Sequence, residues 1–224
     1  MLATELFDFS ASMHPDLWSD ERPAWAVLDQ IAPYLEAWAD WARHSDVSRA
    51  AQVGERVFIG RGCQIDAGAV ILGPAWIGNG CHIRAGAYVR ENVIAEGGCV
   101  LGNSSEFKNC VMLPGCQVPH FNYVGDSVLG VGAHLGAGAI LSNFRLDAGE
   151  IFAAGPEGER LATGRNKFGA LIGDRAEIGC HSVLNPGSII GRRSVLYPGT
   201  LWRGTLPAGQ IVKVRQTQQI VAEK

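Results

Sequence analysis

The chain has 224 residues, of which 47% are hydrophobic, enough for a substantial core in one large domain or two small ones. Its formal net charge of −3 argues against a nucleic-acid-binding protein, because neutralising phosphates needs a basic surplus or a basic stripe. The sequence shows neither a signal segment nor a membrane-length apolar run, so we expect a cytoplasmic protein without membrane contact.

Residues 1–50 predict a short helical segment, for which Asp20, Glu21 and Pro23 supply a start. Apolar residues recur there at helical spacing, namely Trp25, Leu28, Ile31, Leu35 and Trp38. Pro33 is expected to divide the segment into two short helices, because proline removes a backbone donor. The apolar side needs a partner, and we expect it to pack on the flank of the domain that follows.

Residues 51–206 carry a six-residue repeat. Every sixth residue is apolar, in the order Ile59, Ile65, Ile71, Ile77, Ile83, Val89, Ala95, Leu101, Phe107 and Leu113. Four residues after each of these comes a mostly small residue, in the order Cys63, Ala69, Ala75, Cys81, Ala87, Val93, Cys99, Ser105, Val111 and Gln117. This is the hexapeptide signature, in which three hexapeptides form a triangular coil and coils stack about 4.8 Å apart. The sequence therefore predicts an all-β fold, a single-stranded parallel β-helix.

The six cysteines include no CxxC pair, and Cys63, Cys81 and Cys99 lie eighteen residues apart. That spacing is one coil of the predicted β-helix. We therefore expect free thiols in the core rather than disulfides or a metal site.

The period breaks twice. It slips near Pro119 and is regained at Tyr123, Leu129, Leu135 and Leu141. It is then lost, so that residues 143–168 are predicted to be an inserted loop, and loops of this length are commonly functional. It returns at Ile172, Ile178, Leu184, Ile190, Leu196 and Trp202, and residues 207–224 form a polar C-terminal tail.

His120 lies at the first break, in the segment HFNYVGD. Histidine is the usual general base near neutral pH, which makes this residue a candidate catalyst. A structural histidine that caps the break is the alternative, and the local sequence leaves both interpretations open.

A resemblance to a known family favours the catalytic interpretation. The segment HFNYVGDSVLGVGAHLGAGAILSN, from His120 to Asn143, is similar to the catalytic stretch of the acetyltransferase domain of bifunctional sugar-1-phosphate nucleotidylyltransferase/glucosamine-1-phosphate N-acetyltransferases. The similarity continues in HIRAGA, EFK, NKFGALIGD and VRQTQ, covers roughly residues 57–218, and is greatest to archaeal-type members. The resemblance implies a left-handed β-helix, a homotrimer, acetyl-CoA as co-substrate, and an amino-sugar 1-phosphate as acceptor.

The resemblance also implies roles for individual residues. His120 would take the proton of the sugar amine, Glu106 and Asn143 would position the amine or the histidine, and the backbone N–H of Ala137 would face the oxyanion. The sugar phosphate would be held by Arg84, Lys108, Tyr123 and Lys167. Acetyl-CoA would lie along Ala137, Cys180 and Pro198, with Arg215 reaching its phosphates. Independently of the resemblance, the length of the inserted loop, residues 143–168, leads us to expect a lid or substrate wall whose Arg145, Arg165 and Lys167 approach the sugar phosphate.

The sequence departs from the bifunctional enzymes in three respects. His134 stands where they have asparagine, and the loop before Lys167 is much longer than theirs, so the identity of the amino sugar stays open. The chain also shows no glycine-rich nucleotide-binding domain. We therefore expect no uridylyl transfer by this chain alone and a possible partnership with a separate nucleotidylyltransferase.

Two other functions compete with acetyl transfer. A γ-class carbonic anhydrase would bind zinc through three histidines at a subunit interface, but His82, His120, His134 and His181 include no close pair of the kind that this class uses. A non-catalytic β-helix could serve as an oligomerisation or regulatory module beside a separate nucleotidylyltransferase. Intact His120, Asn143 and Lys167 argue against that second alternative.

Overall fold

In the computed structural model, which describes residues 1–19, 21–155, 158–215 and 217–222, the repeats form a parallel β-helix of about nine turns with three faces. Face A contains β1 (Gln52–Val53), β4 (Val70–Ile71), β7 (Tyr88–Val89), β14 (Ile140–Leu141), β19 (Val183–Leu184) and β22 (Leu201–Trp202). Face B contains β2 (Val57–Ile59), β5 (Ala75–Ile77), β8 (Val93–Ala95), β17 (Ala170–Ile172), β20 (Ser188–Ile190) and β23 (Thr205–Leu206).

Face C contains β3 (Gln64–Ile65), β6 (His82–Ile83), β9 (Val100–Asn103), β11 (Gln117–His120), β13 (His134–Leu135), β18 (Glu177–Ile178), β21 (Val195–Leu196) and β24 (Ile211–Val212). Two longer strands, β10 (Glu106–Met112) and β12 (Tyr123–Leu129), run along face A, turn the A–B corner and continue on face B. The predicted all-β, parallel β-helix with a short helical segment at its N-terminus is confirmed.

The interior of the prism is the predicted ladder of like residues. Ile59 pairs with Ile77, and Ile77 pairs with Ala95, each eighteen residues further on. These side chains are completely buried, and each fully buried aliphatic side chain contributes roughly 1.5–3 kcal/mol of hydrophobic free energy. Repetition of the same small set of side chains therefore supplies the core.

The predicted position of the first break was wrong. Met112, not Leu113, lies in the prism interior, because the coil shortens from eighteen to seventeen residues at the A–B corner, where Phe107 pairs with Val124. Val124 rather than Tyr123 points inward in the next coil. The shortened corners place Asn109 and Asp126 at φ +45° and +48°, a backbone region that Asn and Asp tolerate better than most other residues. In the small-residue positions, Cys110 and Cys116 accordingly replace Val111 and Gln117.

The β-helix extends beyond the expected boundaries of 51 and 206. Parallel bridges join Arg43 to Ile59 and Val47 to Ile65, and β24 pairs with β21 after residue 206. Val47 continues the six-residue period backwards, which is a signal that the sequence already contained. Within the expected tail, Gln216, Glu223 and Lys224 lie outside the described residues.

The N-terminal segment contains α1 (Ala3–Leu6), 3-10 turns at Pro15–Leu17 and Ala24–Ala26, and α2 (Val27–Glu36). Pro33 lies inside α2 and does not divide it, contrary to the expectation. The predicted helix start included Asp20, which lies outside the described residues. Leu28, Ile31 and Leu35 are buried against the outer side of face B. The face B side chains in this contact are Trp76, Ile94, Val111, Val128, Leu171 and Ile189.

The insertion at the A–B corner is not structureless. It contains an antiparallel hairpin of β15 (Ile151–Ala154) and β16 (Arg160–Arg165). Ile151 and Ala153 pack into the same apolar cluster as the N-terminal segment. In the described part of the chain, no helix is long and apolar enough to cross a membrane.

All six cysteines are free thiols. Four of them are buried, Cys63 is half-buried, and Cys180 is exposed, so the expectation of core positions does not hold for Cys180. Burial raises the pKa of the Cys110 thiol, which therefore stays protonated.

Candidate active site

Four of the predicted site residues occupy equivalent positions along one edge of the prism, the C–A corner. His120, Ala137 and Cys180 occupy equivalent positions in successive coils, because Gly138 N–H donates to the His120 carbonyl (3.0 Å) and His181 N–H donates to the Ala137 carbonyl (2.8 Å). The same pattern continues one coil further, where Gly199, next to Pro198, donates to the Cys180 carbonyl (2.8 Å). At about 4.8 Å per coil, this edge presents an extended track to a long ligand.

His120 is fixed through its backbone, whereas its exposed ring lies 6.5 Å from the Phe121 ring, measured between centroids. Its N–H donates to Oδ1 of Asn122 (3.0 Å), and the buried Asn122 amide donates to the carbonyls of Gly136 (2.8 Å) and Ala139 (3.2 Å). Among the described residues, the exposed imidazole has no recorded hydrogen-bond partner. The corner is thus rigid and the imidazole is accessible. Asn122 was not among the residues predicted from the sequence, although an Asn in an interior small-residue position was a signal.

The Ala137 N–H is available for a ligand. Ala137 is half-buried at the corner, and its N–H makes no recorded hydrogen bond within the described residues. A backbone donor fixed in this way costs no reorganisation when a negative oxygen develops beside it.

The remaining predicted residues lie mainly on face A and at the A–B corner. Glu106 and Tyr123 are register partners on β10 and β12. Glu106 forms an ion pair with Arg90 at 2.9 Å, a partner that the sequence analysis did not identify. Face A therefore connects the His120 corner with the corner that carries Asn143.

A buried carboxylate, Asp126, organises the A–B corner. Its side chain is 3% exposed and accepts hydrogen bonds from Nδ2 of Asn109 (2.9 Å) and Nδ2 of Asn143 (2.6 Å). Lys108 Nζ lies 3.5 Å from Asp126 Oδ2. Asp126 was not among the residues predicted from the sequence, because the expected break was at Pro119 rather than at this corner.

Tyr123 folds over Gly125 toward Asn143. A Cβ on Gly125 would lie 2.5 Å from the Tyr123 hydroxyl and 2.8 Å from Asn143 Nδ2, so only glycine leaves room for this arrangement. Burial, followed by the negative charges of Asp126 and Glu106, raises the pKa of Tyr123. The phenol is therefore a neutral hydrogen-bond donor at physiological pH.

The insertion contributes cations from its C-terminal end. Lys167 is exposed and forms a bridge with Phe144, which places it beside Asn143, and it has no recorded side-chain partner among the described residues. Arg165 lies 3.9 Å from Asp126 and also pairs with Asp29 of α2. Arg145 does not join this group, because it pairs with Asp147 within the insertion.

Arg84 and Arg215 are not brought into contact with the others in a single chain. Arg84 is half-buried at the C–A corner, two coils before His120, and Arg215 is exposed beyond the last strand. His134, which stands where the bifunctional enzymes have asparagine, pairs with Glu177 at 2.7 Å on face C. Among the described residues, no group of three or more His, Cys, Asp or Glu side chains is arranged to hold a metal ion.

Comparisons with known proteins agree with the repeat pattern. Residues 56–91 match the family model described as bacterial transferase hexapeptide (six repeats). The bifunctional sugar-1-phosphate nucleotidylyltransferase/acetyltransferase of Sulfurisphaera tokodaii is 31% identical over 197 residues, which cover 88% of this chain and 49% of the relative. The chain thus spans about half the length of that relative.

Two further similarities differ in extent. The uncharacterized acetyltransferase YaiX of Escherichia coli is 40% identical over 174 residues, which cover 75% of each chain. A solved GDP-perosamine N-acetyl transferase from Caulobacter crescentus, in complex with CoA and GDP-perosamine, is 20% identical over 74% of this chain and 50% of that one. Its TM-score of 0.29 is too low to support an inference.

Proposed function

Since the chain belongs to the hexapeptide-repeat acyltransferase family, we propose that it is an acetyl-CoA-dependent N-acetyltransferase whose acceptor is an amino-sugar 1-phosphate such as glucosamine 1-phosphate. The observation that carries the proposal is that one edge presents both an imidazole and a backbone N–H, neither of which has a hydrogen-bond partner among the described residues. His120 and Ala137 occupy successive coils of that edge, next to a face that ends in lysine and arginine side chains.

In the proposed reaction, the His120 imidazole takes a proton from the acceptor amine as the nitrogen attacks the thioester carbonyl. A carbon–nitrogen bond forms, the carbon–sulfur bond breaks, and the CoA thiolate leaves and takes up a proton. The accessible ring suits this role, since a general base must reach the proton that it removes.

The Ala137 N–H would donate to the oxygen of the tetrahedral intermediate. Its lack of a recorded acceptor within the described residues supports this role. Removing one such donor in other acyl-transfer enzymes costs about 10²–10³ in kcat.

The acceptor would lie over face A. Its phosphate would bind Lys108, Tyr123 and Lys167, with Arg84 approaching from the C–A corner. Glu106 and Asn143 would position the amine, and the neutral Tyr123 phenol would donate to a phosphate oxygen. A cationic group against a phosphate dianion is sound chemistry for this acceptor.

Acetyl-CoA would follow the C–A edge along Cys180 and Pro198, with Arg215 reaching its phosphates. We propose a homotrimer, in which a neighbouring prism covers the open side of that edge. Exposed apolar residues on the outer side of face A, such as Tyr88, Val183 and Leu201, are consistent with burial against another copy. We propose that the protein acts in the cytoplasm, where acetyl-CoA and sugar phosphates would be available.

The test is acetyl transfer to a panel of amino-sugar 1-phosphates, followed by the release of the CoA thiol. Glucosamine 1-phosphate and galactosamine 1-phosphate should be compared with the same amino sugars lacking the phosphate and with glucose 1-phosphate, which lacks the amine. Release that depends on both amine and phosphate is the expected result. Lack of release with every acceptor, together with lack of thermal stabilisation by acetyl-CoA, would favour a non-catalytic module.

A further inference from the structure

We infer that Asp126 is a positioning residue of the acceptor site, where it holds the Lys108 ammonium and turns the Asn143 amide so that its oxygen faces the acceptor amine. This inference rests on the proposed function. No role for this carboxylate follows from the sequence motifs or from the similarity to known proteins.

The first step is the direction of the Asn143 amide. A carboxylate paired with a cation can only accept hydrogen bonds, so the group that faces it at 2.6 Å must be the NH2 of Asn143. The amide oxygen then points away from Asp126, and it has no recorded partner among the described residues. An unoccupied amide oxygen is an acceptor suited to the N–H of an amine.

The second step is the position of Lys108. Its side chain is only 16% exposed and ends 3.5 Å from the nearly inaccessible Asp126 carboxylate. A lysine with four rotatable bonds would otherwise sample many positions, and fixing such a side chain in advance lowers the entropy lost on binding. Asp126 therefore prepares the ammonium for a phosphate.

The third step is the charge balance. Arg165, 12% exposed, approaches the same carboxylate at 3.9 Å and also pairs with Asp29, so Lys108 and Arg165 together face two carboxylates. Asp126 can thus fix Lys108 without leaving excess negative charge in the corner. The exposed Lys167 beside Asn143 adds a further cation. The corner keeps the surplus that a phosphate dianion requires.

The variant that tests the inference is Asp126→Asn. Asparagine has the same shape and tolerates the φ of +48° at this position, so the corner should be retained. The variant side chain carries no negative charge. Only its amide oxygen can accept a hydrogen bond, whereas both carboxylate oxygens of Asp126 accept one, from Asn109 and from Asn143. The matched control is Asp174→Asn, because Asp174 is also buried, pairs with Arg192 at 3.2 Å and accepts the Val131 N–H at 2.8 Å, but lies at the B–C corner.

Steady-state kinetics of both variants separate positioning from stability. For Asp126→Asn we expect kcat/KM for the acceptor to fall about 10²-fold, as for a misplaced reacting group, while KM for acetyl-CoA stays within about twofold. Both variants should lower the melting temperature by a similar amount, but Asp174→Asn should leave acceptor kinetics unchanged. Acceptor kinetics within about threefold of wild type in Asp126→Asn, or an equal loss in Asp174→Asn, would overturn the inference.

A second measurement does not depend on activity. Reductive methylation of lysines, quantified by mass spectrometry, should modify Lys108 slowly in wild type and in Asp174→Asn, and several-fold faster in Asp126→Asn. Lys167, which is exposed, serves as the internal reference. Equal Lys108 rates in all three proteins overturn the inference, whereas wild-type protein that acetylates no acceptor overturns the proposed function itself.

Discussion

Adding one methyl group at Gly125 should disable the acceptor site without unfolding the protein. The Cβ of Gly125→Ala would lie 2.5 Å from the Tyr123 hydroxyl, 2.7 Å from its Cζ and 2.8 Å from Asn143 Nδ2. The backbone at Gly125 does not have a positive φ, so alanine is accommodated there without backbone strain. The side chains must therefore move instead.

The size of the effect follows from these distances. Ordinary contact between such atoms begins near 3.4–3.5 Å, so the Tyr123 hydroxyl must shift by about 1 Å. A displacement of about 1 Å in a group that positions a reactant can cost about 10²-fold in rate, which corresponds to about 2.7 kcal/mol of transition-state stabilisation. We therefore expect kcat/KM for the acceptor to fall about 10²-fold.

The assay is acetyl transfer at saturating acetyl-CoA with varied acceptor, alongside the melting temperature. Gly149→Ala is the matched control, because its Cβ would come no nearer than 3.4 Å to any atom and it lies within the insertion. Both variants should melt within a few degrees of wild type. Wild-type kinetics in Gly125→Ala would show that Tyr123 and Asn143 do not contact the acceptor.

Four further outcomes are expected. His120→Ala should lower acetyl transfer about 10²-fold or more while oligomeric state and melting temperature persist; unfolding of this variant would instead assign His120 a structural role. Sedimentation should show a trimer at micromolar concentration, and a stable monomer would contradict the proposed acetyl-CoA edge. Ile31→Ala, at a completely buried position, should destabilise the docking of the N-terminal segment by about 2–5 kcal/mol, seen as faster amide exchange across α2 with the β-helix still protected. Burial lowers the pKa of His14 from 6.5 to about 4, so the unfolded chain binds a proton that the folded protein does not, and the free energy of unfolding should fall as pH drops through that window, by up to about 3 kcal/mol. Urea unfolding of His14→Gln should show a weaker pH dependence, and an identical one would refute this assignment.

The repeat could be predicted from the sequence because a period of six is a local property. The inward position of each repeat residue can be predicted from its near neighbours in sequence alone, as for Ile59, Ile77 and Ala95. The shortened corner could not be located in the same way, since both Met112 and Leu113 are apolar and both are buried, one inside the prism and one against the N-terminal segment. Only the pairing of coils distinguishes the two sides of the strand.

The candidate site was likewise predictable only where its residues are close together in sequence. Residues that lie along one edge, such as His120 and Ala137, were identified through a contiguous motif. Asp126 was overlooked within that motif because its importance depends on Lys108, Asn143 and Arg165, which converge on it from three other parts of the chain. Arg90 was overlooked for a similar reason, since its ion pair with Glu106 joins neighbouring coils.

The contact between the N-terminal segment and face B has a consequence for how the molecule unfolds. Coils of a solenoid interact mainly with their neighbours, so terminal coils can fray while central ones persist. Here one apolar cluster includes α2 and the outer side chains of six successive coils, from Trp76 to Ile189. The segment acts as a brace along the stack, and loss of any braced coil also disrupts contacts of the others. We expect the coils to unfold in a single cooperative transition as long as the segment is docked, with folding slowed by the large sequence separation between residues 24–36 and 170–190.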